Sequence, residues 1–130
     1  MKPNWRVSMA TRTEQIQEVL RGLRTASPDI VGAAVVSIDG FVIASVLPAE
    51  IDEELVSGMA AAMLGVGERI SAELMGSSME QTYVRSEKGY VVLNAVGKES
   101  VLVVLTTKEA KLGLVFIELK RRCAELTPIL

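Results

Sequence analysis

Apolar residues recur at helical spacing in three stretches of the chain and run continuously or in alternation in five shorter ones. Those two periods lay out the elements. Thr11 and Glu14 form a capping box, and Ile16, Val19, Leu20 and Leu23 follow on one helical face, predicting a helix over about 12–25 that ends before Pro28. Ile30 to Ile38 is small and β-branched, Asp39-Gly40 suits a type I′ turn, and Phe41 to Leu47 is β-branched again, so a hairpin is expected here. Pro48 ends it. Asp52 can cap a long helix over about 53–75 with Glu53 and Glu54 in its first turn and Gly76 at its end.

Met79 to Ser86 alternates polar and apolar residues as an edge strand does, Glu87-Lys88-Gly89 turns the chain, and Tyr90 to Val96 and Val101 to Leu105 give two further strands. Connections this short allow only antiparallel neighbours, since a parallel crossover needs a dozen residues or more. Thr106 and Glu109 make a second capping box before the stripe Leu112, Val115, Phe116, Leu119, Cys123 and Leu126, predicting a last helix over about 108–126. The order is αββαβββα. An α+β fold follows, with a five-stranded antiparallel sheet, the middle helix on one face and the terminal helices on the other. Residues 1–10, with Trp5, read as a flexible arm, and 11–130 as one domain.

The middle helix carries the functional signal. On a wheel of 100° per residue, Leu55, Val56, Met59, Met63, Val66, Ile70 and Leu74 gather in one arc, which is expected to cover the sheet. The opposite arc reads Ser57, Gly58, Ala61, Leu64, Gly65 and Ala72, with Glu68 and Arg69 as its only central charges. Gly58, Gly65 and Gly67 each weaken the helix by roughly 0.8–1 kcal/mol relative to alanine. Small residues at i, i+4 and i+8 let two helices approach closely, so this arc is expected to be a dimer interface, extended by Gln81, Tyr83 and Arg85 of the edge strand.

Composition removes several classes of function. Of 130 residues, 49% are hydrophobic and 23% charged, and mean hydropathy is +0.34, which is high for a solvated monomer. Lys and Arg total 14 against 16 Asp and Glu, a net charge of −2, without the basic excess that nucleic acid demands. The longest apolar run, Met59 to Gly67, is too short to span a bilayer, and the polar stretch from Thr11 to Gln15 lacks signal-peptide character, which predicts a cytoplasmic protein. Histidine is absent and Cys123 is the single cysteine, so zinc sites and His-activated nucleophiles drop out. No metal, cofactor or catalytic residue is expected.

The element order resembles the Roadblock family, the dynein light-chain and bacterial gliding-regulator type, over about 11–126. The hairpin stretch from Val31 through Asp39-Gly40 to Ser45 and the helix stretch Met59-Ala60-Ala61-Ala62-Met63 carry the likeness. The resemblance implies a Roadblock/longin/profilin-like fold, a homodimer joined through the middle helix and third strand, and a role in binding or regulating a small Ras-like GTPase. It supplies no catalytic motif. There is no P-loop, and Gly65-Val66-Gly67 lies inside a helix with Ile70 in the third-glycine position, so the chain is read as regulator and not switch. Arg69, Arg85, Arg121 and Arg122 are candidates for an arginine finger, while ordering of the partner's own loops is the indirect alternative. Two other readings stand beside this one: a small-molecule sensor or enzyme using Glu53, Glu54, Glu73, Glu80 or Glu87, and a purely structural scaffold domain of a larger assembly. Lys111, Lys120, Arg121 and Arg122 form a basic stretch balanced by Glu109, Glu118 and Glu125 and read as a solvated face; Cys123 reads as a small core residue.

Overall fold

The computed structural model describes residues 11–130; Trp5 and the expected arm lie outside them. The elements are α1 (Arg12–Ala26), β1 (Ile30–Ser37), β2 (Val42–Val46), α2 (Glu53–Ile70), β3 (Gln81–Ser86), β4 (Gly89–Val96), β5 (Ser100–Thr106) and α3 (Leu112–Leu126). The expected order is the observed one. A π-helical turn over Ser71–Met75 continues α2 to Gly76. The strands form one antiparallel sheet in the order β2-β1-β5-β4-β3.

Helix starts follow the capping chemistry in two of three cases. Glu14 N–H donates to Thr11 Oγ1 over 3.1 Å, and Glu54 N–H donates to Asp52 Oδ1 over 2.9 Å. The third case corrects the sequence reading. Thr106 Oγ1 instead accepts from Tyr90 N–H at 3.2 Å and donates to Thr107 O at 3.0 Å, so the hydroxyl is spent on the sheet. Residues 107–110 make a turn, and α3 begins after Lys111, which offers no side-chain cap.

The β1–β2 connection also departs from expectation. No residue other than glycine has a positive φ among the described residues, so Asp39 cannot occupy a type I′ turn. The chain uses a three-residue loop in which Gly40 N–H bonds to Ser37 O at 3.0 Å and Ser37 N–H to Phe41 O at 2.8 Å. Gly40 alone takes the left-handed conformation, at φ 87°.

Two hydrophobic layers flank the sheet. On one face Ile16, Leu20 and Leu23 of α1 and Val115, Leu119 and Leu126 of α3 pack on Val35, Leu102 and Val104. On the other, Ala60 and Leu64 of α2 pack with Met79 on Val36, Leu93 and Val103. One helix serves where the other face has two. α2 lies mainly over β1, β2 and β5, leaving the β3 and β4 side of that face uncovered by it.

The sheet's two edges are treated differently. At β2, Gln17 Nε2 donates to Ser45 O over 2.7 Å and Ser45 Oγ bonds to Glu53 Oε1 at 3.1 Å, so α1 and α2 together obstruct that edge. β3 pairs with β4 on one side only, and its last four residues are exposed. Alternate residues of such a strand turn backbone N–H and C=O groups outward.

Candidate protein-interaction surface

The structure turns α2 part of the way round from the expected orientation, burying Ser57, Ala60 and Leu64. Leu55, Met59, Val66, Ile70 and Leu74, read as the core arc, are 53–75% exposed, and only Val56 and Met63 of that arc are partly covered. Ser57 and Leu64, assigned to a dimer interface, are 4% and 6% exposed and sit within the protomer instead. Ala61 is half-buried next to the hairpin turn at Gly40. The physical reason is twofold. A wheel identifies the arc that avoids water but not what covers it, and small side chains let a helix lie close on a sheet as readily as on another helix. Ser57 fits inside because its hydroxyl donates to Glu54 O at 3.0 Å, which satisfies its polar group locally.

The remaining interface candidates fall into three groups. Gly58 and Gly65 are open, with no atom within 4 Å of where a Cβ would stand, and Arg69 and Ala72 are exposed beside them. Glu68 is half-buried because its carboxylate accepts from Met79 N–H at 3.4 Å. Gly67 has a packing reason that Gly58 and Gly65 lack, since Met79 Sδ occupies the space that a Cβ would need. On β3, Gln81 is half-buried with Nε2 donating to Asn94 Oδ1 at 3.1 Å, while Tyr83 and Arg85 are exposed. Tyr83 rests against Tyr90 and Phe116, with ring centroids 6.2 and 5.8 Å away.

Sequence reasoning missed the groove that these placements create. Val56, Met59 and Met63 of α2 face Val84, Val91 and Leu93 across a trough of about 410 Å³ with an almost wholly apolar lining. Its lining takes in Leu55 and Met59 of the exposed stripe at one end and Val84 of the edge strand β3 at the other. Helix stripe, trough and strand edge are one continuous surface. The signal that could have found it is the count of layers: three helices on a five-stranded sheet, two of them on one face, leave half of the other face bare.

The acid–base and arginine candidates disperse. Glu53, Glu54, Glu73, Glu80 and Glu87 are all exposed; Glu53 and Glu54 share the first turn of α2, while Glu73 lies in the π-helical turn at its far end, Glu80 before β3 and Glu87 in the β3–β4 turn. Arg69 and Arg85 are exposed, with Arg69 Nη2 at 3.5 Å from Glu73, and Arg121 pairs with Glu118 at 3.5 Å. Arg122 is withdrawn from solvent: its guanidinium donates to Gly22 O at 3.2 Å and reaches Glu118 and Glu125, which joins α3 to α1. Cys123 is half-buried in the α1–α3 layer, where Asn94 Nδ2 donates to its sulfur at 3.3 Å. Burial pushes this thiol up from 9.0 to about 11, against the smaller opposing effect of the Asn94 bond.

The Roadblock/LC7 domain family matches residues 16–106, and the chain belongs to that family. Among curated proteins it is 47% identical over 90 residues to the uncharacterized protein MJ0714 of Methanocaldococcus jannaschii, covering 69% of this chain and 75% of that one. The uncharacterized protein MJ0310 of the same organism is 46% identical over 92 residues, covering 71% and 80%. Among solved structures, MglB of Myxococcus xanthus superposes with a TM-score of 0.81 at 25% identity, over 88% of this chain and 86% of that one. The gliding protein MglB of Thermus thermophilus has a TM-score of 0.80 at 20% identity, over 92% and 90%, and shares the fold.

Proposed function

We propose that the chain is a non-catalytic, homodimeric regulator or adaptor that binds a small Ras-like GTPase. The carrying observation is the apolar stripe of α2 running into a trough and an unpaired strand edge. A monomer in water has no use for Leu55, Met59, Val66 and Ile70 on its surface. A second copy related by a two-fold axis would lay its own α2 along the trough and its own β3 along the open edge, covering both at once. Membership of the Roadblock/LC7 family and the likeness to MglB support a regulatory role over an enzymatic one.

In this reading the interface moves from the small-residue arc to Leu55, Met59, Met63, Val66 and Val84, with the backbone of Gln81, Tyr83 and Arg85 available for strand pairing. Gly58, Gly65, Arg69 and Ala72 then remain on the outer surface of the paired helices. The GTPase docks on those paired helices, and contact there orders its catalytic loops, shifting the partner toward its hydrolytic state. The trough's lack of polar lining suits a helix better than a small ligand, whose orientation needs convergent polar groups.

The test has two arms. Light scattering on the purified protein should give a dimer that Met59→Glu converts to a folded monomer. Affinity capture with GDP and with a non-hydrolysable GTP analogue should recover a Ras-like GTPase selectively in one nucleotide state, and a hydrolysis assay then separates activation from tethering. A monomeric wild-type protein would overturn the dimer, and recovery of no GTPase in either arm would overturn the partner.

A further inference from the structure

We propose that the outer face of α3, in the α1–α3 layer, is a docking surface for an anionic lipid bilayer. The proposal begins from charge segregation between the two helical layers. Residues 12–26 and 108–126 carry eight Lys and Arg against five Asp and Glu, a net +3. Residues 52–75, the opposite layer, carry one arginine against five acidic residues, a net −4. A protein of net charge −2 thus presents one basic face and one acidic one.

The basic face also exposes aliphatic side chains. Leu114 and Ile117 lie one turn apart on the solvent side of α3, 61% and 65% exposed, and Gly113 beside them stands in open space. Lys111 stands three residues before Leu114, at the cap of α3, and Lys120 three residues after Ile117, both exposed. Lys108, Lys111 and Lys120 have no ion-pair partner among the described residues, and of the acids beside them Glu118 and Glu125 are engaged by Arg121 and Arg122, which leaves the exposed Glu109 next to Lys108 as the one unengaged carboxylate of this stretch. Free ammonium groups around protruding aliphatics are what a bilayer interface rewards: the alkyl groups enter the acyl boundary while lysine stems reach anionic headgroups. No helix among the described residues is long and apolar enough to cross a membrane, so the contact is a surface one. An acidic protein would match the charge, but the two aliphatics protrude from a convex helix instead of lining a groove.

The dimer proposed above strengthens the contact without being required for it. A two-fold axis perpendicular to a continuous sheet places both α1–α3 layers on one side, so two patches meet a flat bilayer together while the acidic α2 layers face away from it.

The experiment is flotation of the full chain with vesicles of phosphatidylcholine alone or of phosphatidylcholine and phosphatidylserine, two to one. Wild type should float with the anionic vesicles, stay behind with the neutral ones, and be released by about 0.5 M salt. Lys111→Glu with Lys120→Glu should weaken binding roughly tenfold or more, and Leu114→Ser with Ile117→Ser should weaken it at low salt too. All four positions are exposed or at the helix cap, and circular dichroism checks that the variants fold. No flotation, equal flotation with neutral vesicles, or variants that bind like wild type would overturn the proposal. Capture on poly-glutamate resin without vesicle binding would also overturn it and assign the face to an acidic protein. Met59→Glu keeps the dimer question separate: a monomer that still floats, only more weakly, upholds the patch, and a wild type that proves monomeric leaves the comparison of α3 variants intact.

Discussion

At the scale of single residues, the informative positions are those where the backbone or a buried group leaves no latitude. Gly89 sits against β5 so closely that a Cβ would fall on Thr106 O, and its φ of 155° is one that other residues rarely adopt. Neither a rigid carbonyl nor the ladder can move aside. Gly89→Ala should therefore cost about 3 kcal/mol or more in urea unfolding, whereas Gly67→Ala, opposed only by the flexible Met79 thioether, should cost about 1 kcal/mol or less. Equal costs would show that the Thr106 contact relaxes. Cys123 gives a pH-dependent expectation. Its thiol is raised from 9.0 to about 11 in the folded state, so between those values the folded chain holds a proton that the unfolded chain has lost. Stability is then fully present below pH 9 and falls as pH rises through about 11. Chemical unfolding of wild type and Cys123→Ala across that range checks this, the variant showing the shallower decline.

At the scale of elements, the hairpin, the three-strand meander and the terminal helices were legible because local signals agree there: turn residues, β-branched runs, a capping Thr11 and the stripes of α1 and α3. The failures occurred where a side chain had a partner that sequence order does not reveal. Thr106 was read as a cap because it stands three residues before Glu109, but its hydroxyl answers Tyr90 across the sheet. Asp39-Gly40 was read as a type I′ turn because the pair permits one, but the loop is a residue longer and only Gly40 turns left-handed. α2 is the deepest case. Its dry arc and its small arc are both visible in the sequence, but the buried line runs between them through Ser57, Ala60 and Leu64, which leaves most of the dry arc and Gly58, Gly65 and Ala72 of the small arc exposed, since hydropathy measures avoidance of water and a subunit avoids it as well as a core does. Paired substitutions decide the orientation. Leu64→Ala should destabilise the protomer by about 2–4 kcal/mol, as a cavity under a buried helix does. Val66→Asp, two residues on, should leave the far-ultraviolet spectrum unchanged and abolish dimerisation in gel filtration. Were Val66→Asp to unfold the chain and Leu64→Ala to spare it, the sequence orientation would be restored.

At the scale of the whole molecule, the uneven cover of the sheet is what joins fold to proposed function. One face holds two helices, the other holds one displaced toward β1, β2 and β5, and the single open edge is β3, beside the bare side of the thinner face. Three features that would each be a liability in a monomer, a greasy helix, an apolar trough and an unpaired strand, therefore fall together, and the proposed symmetric contact would remove all three at once. In the proposed dimer stability and assembly are linked, because the second copy would supply cover that the second layer lacks. For a folding unit that unfolds from dimer to separate chains, mass action raises the midpoint with concentration, and for a protein of this length the rise is about 2–4 °C per tenfold increase. Calorimetry of wild type over two such steps should show that rise, while Met59→Glu should melt lower and at a temperature independent of concentration. A wild-type midpoint that does not move would mean that the protomer keeps its exposed stripe in solution, and the α2 surface would then have to be assigned to the partner alone.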